Sequence, residues 1–520
     1  MTEEEYRQAK ERNQKRREER ERKRRQSRRL LAGFLVLVLL VAIGAVAVPK
    51  ILNRNKKSEE ASSETSSDIS GNQEASKEEA SGSAGEAEPE STEPESTEPE
   101  STEPESSSEP VEEESSQEES SEEESVPEEP VTKTVNLAAI GDIMVHLEQL
   151  QFAYDPNTDS FDFAPSFEMI KDDLSAHDYT VANLETTFGI EDTWTADRFH
   201  GYTGFPCFSS PEILATNIKD AGIDFVGTAN NHALDAHADG IQLTLERVHA
   251  AGLESTGTFS ELDAPRYQIE EVNGMRIAFM AYTYGSNGFQ MPKGEEGYFN
   301  SFVDYHQDLI DQMYVDVQEV NELPDVDLIV MLLHMGEEYW YTPTLKTQEV
   351  VDELFKSGCD IILTSHPHVL EPFEFRNVDN GDGTTRQGFV IYSLGNFISA
   401  QHYVGGGYYT DVGVILDLDL EQVGEEQPTI TGLRLTPTYC QWTGDNIRVI
   451  PLEKALDSYV NGNNAYNCTD THYQRLLDSQ RFFQNTIWPS QYAYTIENGG
   501  YVVDMTTAWP AETEEEAASE

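Results

Sequence analysis

Between Val135 and Phe397 the chain carries six short polar clusters, and most of them follow an apolar run. They read Gly141-Asp142-Ile143-Met144-Val145-His146, Asn183-Leu184-Glu185, Asn230-Asn231-His232-Ala233-Leu234-Asp235, His334-Met335-Gly336-Glu337-Glu338-Tyr339, His366-Pro367-His368 and Ser393-Leu394-Gly395-Asn396-Phe397. Carboxylate and amide oxygens are hard ligands, and imidazole suits Zn, Fe, Mn or Ni, so these are donor types for a site that holds two divalent metal ions. His366 and His368 are the sharpest local signal, since two imidazoles one residue apart with a stiff Pro between them can face two neighbouring ions. A carboxylate such as Glu185 can bridge two cations because each oxygen can bind one. His232 can hold or protonate a leaving oxygen, and Asp235 can orient it by accepting its other ring N–H.

Each cluster alone also has a plainer reading. A Gly-Asp pair after a strand makes an ordinary turn, Asn takes left-handed turn conformations, and a strand-end His can simply pack in a core. Glu337 and Glu338 are neighbours and need not share a face, so they are weak support for the paired acids of a glycan hydrolase. Neither a Gly-x-Ser-x-Gly nucleophile elbow nor a Gly-x-x-x-x-Gly-Lys-Ser/Thr phosphate loop occurs.

Positioning such residues requires strands that end at one edge. From Lys133 onward strand and helix patterns alternate, which predicts a layered α/β fold. Strands are expected at Val135–Ile140, Asp224–Thr228, Arg276–Tyr282, Leu328–Leu333, Asp360–Thr364 and Phe389–Tyr392, with closing strands at Val412–Leu418 and Ile430–Leu435. Helices are expected from Pro211 to Ala221 with Ser210 as N-cap, over Gly240–Ala251, across 305–321, and over Leu345–Ser357 up to Gly358. In open sheets of this kind reactive residues gather at the carboxyl ends of the strands. Residues 132–450 form the expected domain, with 451–510 as a helical and loop extension packed on it.

The flanks have different compositions. Residues 1–29 hold 13 Lys/Arg against 7 Asp/Glu, and Leu30–Val48 follows as 19 residues without a charge. That run is long enough for a membrane-spanning helix, and the basic excess before it puts the N-terminus in the cytoplasm and the rest outside the cell. Within residues 49–131 the Glu/Ser/Thr/Pro-rich linker cannot form a core and is expected to be disordered, as is the acidic tail 511–520. The net charge is −61. So acidic a chain disfavours nucleic acid as a partner. Four Cys are too few for a disulfide framework; Cys359 reads as a buried thiol, and Cys440 with Cys468 as a candidate pair.

Taken in chain order, Gly-Asp-x-Met, Asn-Leu-Glu, Asn-Asn-His-x-x-Asp, His-x-Gly-x-Glu-Tyr, His-Pro-His-Val and Tyr-Ser-Leu-Gly-Asn-Phe resemble the bacterial poly-γ-glutamate capsule synthesis (CapA) family, across roughly residues 134–420. That family is similar to the calcineurin-like metallophosphoesterases. The resemblance implies a four-layer α/β/β/α sandwich with two divalent metal ions (Mn, Fe or Zn). Asp142 and His368 would hold one ion, Asn231, His334 and His366 the other, and Glu185 would bridge them. His232, oriented by Asp235, would face the scissile group. Two departures stand out: phosphoesterases usually open with Asp-x-His, where this chain has Met144, so His146 would have to supply the missing ligand. The bridging acid is Glu185 where Asp is usual. The implied function is a membrane-anchored extracytoplasmic metal-dependent hydrolase that acts in making, exporting or anchoring an anionic surface polymer such as poly-γ-glutamate, with membrane synthase subunits as partners. The alternative is a non-catalytic metal- or polymer-binding assembly component.

Overall fold

The computed structural model of the chain describes residues 130–188, 198–401, 408–489 and 491–509. The expected membrane span Leu30–Val48, the basic segment before it, the linker through residue 129 and the acidic tail lie outside the described residues. Among the described residues no helix is long and apolar enough to cross a membrane.

The alternating pattern folds into two large sheets. In chain order the strands are β1 (Thr132–Ile143), β2 (Tyr154–Asp155), β3 (Ser160–Phe161), β4 (Tyr179–Leu184), β5 (Phe225–Gly227), β6 (Glu254–Thr256), β7 (Gln268–Val272), β8 (Met275–Thr283), β9 (Leu328–His334), β10 (Ile361–Ser365), β11 (Leu370–Asp379), β12 (Thr385–Leu394), β13 (Asn396–Ile398), β14 (Val412–Val423), β15 (Thr429–Trp442), β16 (Ile447–Pro451), β17 (Tyr494–Glu497) and β18 (Gly500–Val503). The first sheet runs β17-β18-β15-β14-β1-β4-β5-β6, with β13 beside β1 and β16 beside β15; the second runs β11-β12-β10-β9-β8-β7. In the first sheet β1, β4, β5 and β6 are parallel, and in the second β8, β9, β10 and β12 are parallel. Parallel strands bring all their carboxyl ends to one edge of each sheet.

Both faces of the parallel strands are covered, so they read as near-continuous apolar runs. One face of each sheet meets the other sheet: Leu137 and Ala139 of β1 share a core with Phe279 and Ala281 of β8 and with Val330 of β9. On the outer face of the first sheet, Ala138 and Ile140 pack with Leu150 of the helix Leu147–Ala153 and Ile218 of the helix Ile213–Asp220. On the outer face of the second, Met280 and Met331 pack with Ile310 of Gln307–Asn321 and Leu354 of Leu345–Ser357. The layers are therefore helix, sheet, sheet, helix. Burial of a side chain such as Phe279 stabilises by roughly 1.5–3 kcal/mol, so a charge on either face of a central strand would separate two layers.

Local signals decide where several elements end. Leu345–Ser357 begins where the Thr344 side chain accepts the Thr347 N–H and stops at Gly358, whose φ of +123° suits glycine. The helix expected from Pro211 starts at Ile213 instead. Ser210 does not cap it, because its backbone N–H bonds to Thr187 O and its hydroxyl pairs with Thr186 Oγ1. The C-terminal extension has the helices Leu452–Val460 and Asp470–Thr486 but is not only helix and loop: its hairpin β17–β18 joins the first sheet through β15, Leu435 opposite Tyr501. Cys359 is a buried thiol as expected, whereas Cys440 and Cys468 are both buried and free rather than bonded to each other.

Candidate metal centre

The centre is built where β1, β4, β5, β9 and β10 end. Asp142 lies near the end of β1, Glu185 directly follows β4, and Asn230-Asn231-His232 follow β5 after a two-residue step. His334 closes β9, and His366 and His368 follow β10. Two glycines set the approach of β1 to the Leu394–Asn396 turn. A Cβ on Gly141 would lie 1.8 Å from Gly395 O, and Asp142 N donates to that oxygen at 3.0 Å. This contact holds Asn396 opposite Asp142 in the β1–β13 pairing.

The backbone at the two histidines is strained. His366 has φ +100° and His368 φ +59°, in a region that residues with a Cβ rarely adopt. Such conformations cost on the order of 1–3 kcal/mol each and persist where surrounding structure imposes them. Here the strain turns both imidazoles to the same side as His334, with ring centroids 5.0 Å apart for His334–His366 and 6.0 Å for His366–His368.

Glu185 sits at the middle, fully buried. Its Oε2 accepts from Asn183 Nδ2 at 3.3 Å, while Oε1 has no hydrogen-bond partner. Around Oε1 stand three imidazole nitrogens: His334 Nε2 at 3.6 Å, His368 Nε2 at 3.8 Å and His232 Nε2 at 4.0 Å. These separations are too long for hydrogen bonds. Two ligands each about 2.0–2.2 Å from a shared ion are at most about 4.4 Å apart, so all three distances fit shared ligation. The Nδ1 of His366, also buried, has no partner either. Glu185, His366 and His368 each offer a donor atom within 4.8 Å of the others, and so do Asp142, Glu185 and His334. Glu185 belongs to both groups, as a bridging residue would. Asp142 Oδ2 also lies 3.0 Å from His368 Nδ1, and the His334 and His366 rings are 5.0 Å apart, so these residues form one cluster that contains both sets implied by resemblance. Asn231 joins through its Oδ1, 2.8 Å from His334 Nε2.

Electrostatics agree with the donor set. Burial, reinforced by Asp142 nearby, pushes the Glu185 carboxyl well above its ordinary value. Burial likewise holds His334 and His366 well below the usual imidazole range, which favours the neutral, ligating form. For His368 burial also acts downward, but the hydrogen bond and charge of Asp142 outweigh it and the net shift is upward. The buried Glu185 carboxyl has no Lys or Arg paired with it among its contacts, and divalent metal ions would stabilise its charged form.

His232 and Asp235 form a distinct pair. Asp235 Oδ2 lies 2.7 Å from His232 Nδ1 and also accepts the Phe208 N–H, so the other ring nitrogen faces Glu185. His146 Nδ1 accepts the Ala400 N–H at 3.3 Å, and its ring stands edge-on to Phe208. Met144 is buried in the core, with its backbone bonded to Ile398 and Gln149.

Residues given no role by sequence reasoning complete the support. Asn183 Nδ2 donates to Asp142 Oδ1 at 2.8 Å, Asn396 Oδ1 lies 3.1 Å from His368 Nδ1, and Ser365 Oγ lies 2.8 Å from His334 Nδ1. Asn287 Oδ1 accepts from Asn231 Nδ2 at 3.2 Å, and Asn287 Nδ2 lies 3.4 Å from His232 Nδ1. Asn183 and Asn396 were visible in the motifs Asn-Leu-Glu and Leu-Gly-Asn-Phe; nothing local marked Ser365 or Asn287.

Among solved structures the chain is similar to the calcineurin-like phosphoesterase YfkN from Bacillus subtilis, with 16% identity and a TM-score of 0.32 over 68% of this chain and 98% of that one. It is also similar to PhoD, with 9% identity and a TM-score of 0.28 over 61% of this chain and 68% of that one. Closer in sequence are the capsule biosynthesis protein CapA of Bacillus anthracis, 26% identical over 276 residues, and the PGA biosynthesis protein CapA of Bacillus subtilis (strain 168), 27% identical over 267 residues. These matches cover 51% and 50% of this chain and 60% and 62% of those relatives, so the chain spans less than two thirds of the length of each. The model of the bacterial capsule synthesis protein family PGA_cap matches residues 136–401, about half of the chain, and the chain belongs to that family.

Proposed function

We propose that the protein is a divalent-metal-dependent hydrolase acting outside the cytoplasm in the synthesis, export or anchoring of an anionic surface polymer such as poly-γ-glutamate. The observation that carries this reading is the buried, unpartnered Glu185 oxygen faced by three imidazole nitrogens. Asp142, Glu185, Asn231, His334, His366 and His368 would hold two ions, with Mn, Fe or Zn suited to the mixed oxygen and imidazole donors. When bound, such ions would polarise the scissile bond and offset negative charge that develops on it. The remaining work falls to the chain. His232, oriented by Asp235, would give its Nε2 proton to the leaving oxygen as water adds and the ester bond breaks. Asn396 and Ser365 would keep His368 and His334 in orientation. The names of the two Bacillus relatives, a capsule and a PGA biosynthesis protein, support a surface polymer as the setting. Leu30–Val48 would anchor the chain in the cell membrane with its N-terminus in the cytoplasm, and membrane synthase subunits would be its partners.

The test is to purify the full chain in detergent without chelators, measure bound metals by elemental analysis, and screen the metal-loaded protein against phosphoesters and γ-linked glutamate polymers. Metal at one to two equivalents with metal-dependent turnover is the expected result. Absence of stoichiometric divalent metal would sink the reading. Met144 favours a second reading, a non-catalytic metal- or polymer-binding component of a synthase assembly, because it removes one potential ligand from the Asp142 side. Cells carrying His366→Ala and His368→Ala separate the two. Survival of surface polymer shows that the protein does not work by catalysis, whereas its loss together with loss of metal-dependent turnover by the purified variants supports the hydrolase.

A further inference from the structure

The C-terminal extension reaches the metal centre through one helix. Arg475 and Phe482 stand two turns apart on Asp470–Thr486 and share a face of it. Arg475 meets Asp411 at two points, Nε to Oδ2 at 2.8 Å and Nη2 to Oδ1, and its guanidinium lies over the Tyr409 ring at 4.4 Å. Phe482 stacks on Tyr409 with centroids 4.1 Å apart, and it also meets Tyr341 at 5.1 Å. Both ring partners belong to segments that adjoin His368. Tyr341 lies in the loop after β9, where the Tyr339 N–H donates to Pro367 O at 2.8 Å. Tyr409 and Asp411 flank Thr410, whose carbonyl accepts from Asn396 Nδ2 at 2.9 Å. The same Nδ2 also donates to Gln401 Oε1 at 3.2 Å. With its NH2 group committed in this way, the Asn396 amide turns Oδ1 toward His368 Nδ1, 3.1 Å away. A bonded Nδ1 leaves Nε2, which faces Glu185, as the ligand nitrogen. Asp142 also lies 3.0 Å from that Nδ1, but it is itself a candidate ligand, so Asn396 is the acceptor that only orients.

Exposed ion pairs hold little in place, but this one is two-pronged and its side chains are only 16% and 8% exposed. We infer that Arg475 is a positioning residue of the metal centre: its hold on Asp411 fixes Thr410, Thr410 fixes Asn396, and Asn396 orients His368. The helix Asp470–Thr486 is then a support of the centre as well as a cover for the sheet. This role rests on the metal-binding reading proposed above and is independent of which bond is cut.

The test compares metal affinity among variants of the full chain purified in detergent. Co2+ is titrated against a chelating dye, and the visible bands of the Co2+-loaded protein report ligand geometry. Arg475→Lys keeps the charge but cannot hold Asp411 at two points. It should weaken Co2+ binding about 3–10-fold, less than groups that touch a ligand directly, and shift the visible bands. Asp411→Asn loosens the pair from the other side and should do the same. Asn396→Ala combined with Arg475→Lys should bind Co2+ as Asn396→Ala alone does, because the two act along one path. Tyr501→Phe is the control: it removes the hydroxyl that contacts Glu453 and Gln484, and it should lower stability while affinity and bands stay unmoved. Unchanged affinity in Arg475→Lys and Asp411→Asn overturns the inference and leaves the metal reading standing, as does a fully additive loss in the combined variant. If the unaltered chain binds no Co2+, the metal reading fails and the role of Arg475 falls with it.

Discussion

Two buried carboxylates sit at opposite ends of the strands and are treated in opposite ways. Asp360 immediately precedes β10, and Glu185 immediately follows β4. Both are within a few per cent of full burial. Asp360 accepts the Ile329 N–H at 2.9 Å on one oxygen, and on the other Arg386 Nε at 3.0 Å and Gln427 Nε2 at 3.3 Å. Glu185 has one amide donor at 3.3 Å and an empty-handed oxygen amid imidazoles. Burial pushes Asp360 up to about 6 despite Arg386, so even the satisfied carboxylate is no net gain in charge energy. The difference is in what completes each group. At the amino ends of the strands the chain supplies its own cation and ties helix Leu345–Ser357 to the sheet; at the carboxyl ends the groups that face Glu185 are imidazoles, which could hold a metal ion.

The largest break in that comparison is predicted for Glu185→Ala. Loss of the shared donor should weaken metal binding by more than about 100-fold, beyond the 10–100-fold typical of groups that only orient ligands. The same substitution should leave the metal-free fold intact or slightly more stable, since it removes an unpaired buried carboxyl. A chelator should lower the stability of the unaltered protein by roughly 4 kcal/mol when free metal had been about 1,000 times its dissociation constant, and should leave Glu185→Ala unmoved. Elemental analysis with thermal melts in the presence and absence of chelator reads both effects. An undiminished metal content in the variant would refute the assignment of Glu185.

Arg386→Ala should show the reverse profile. It strands Asp360 without its cation, at a cost of about 3–5 kcal/mol in denaturant unfolding, with metal content unchanged in the folded protein. Asp360→Asn alongside it should recover much of that loss. If Arg386→Ala instead lost metal and kept its stability, the division between the two strand ends would be wrong. Asn396→Ala comes next in size. Asn396 touches His368 but supplies no ligand, so metal affinity should drop about 10–100-fold with little change in the metal-free melt.

How much of this was readable beforehand follows from the same contrast. Apolar runs such as Leu328–Leu333 announced buried parallel strands, and the Thr344 and Gly358 signals bounded a helix, because those effects act within a few residues. The donor residues were legible too, since each stands where a strand ends. What stayed hidden depends on contacts between distant segments. In the β17–β18 hairpin β17 is exposed at every residue, so no buried face marked it; it is a strand through its pairing with β18, which in turn pairs with β15. Ser210 looked like a helix cap until Thr187 and Thr186 engaged it. That Asp142, His334, His366 and His368 all come close to Glu185 could not be read from chain position alone, because β4 of one sheet and β9 and β10 of the other meet only in three dimensions.

A histidine pair extends the comparison to pH. His177 is half-buried and His366 fully buried, and their titrations move apart. Burial acts downward on His177, but Asp417, 3.3 Å from its Nε2, outweighs it with support from Leu174 O and Asp173, and the net shift is upward. His366 has no such partner and shifts down. For His177 the folded value therefore lies above the unfolded value of about 6.5. Its contribution to stability is complete below the unfolded value and is lost as pH rises through the folded one. Stability of the metal-loaded protein relative to His177→Asn should thus be greatest on the acid side of neutrality and shrink as the solution is made alkaline. This is the smallest of the effects, and it is measured as the difference between two denaturant-unfolding series over pH. Parallel series would mean that Asp417 does not hold a proton on His177, and the contrast between a histidine completed by the chain and histidines left for a metal would then rest on the strand ends alone.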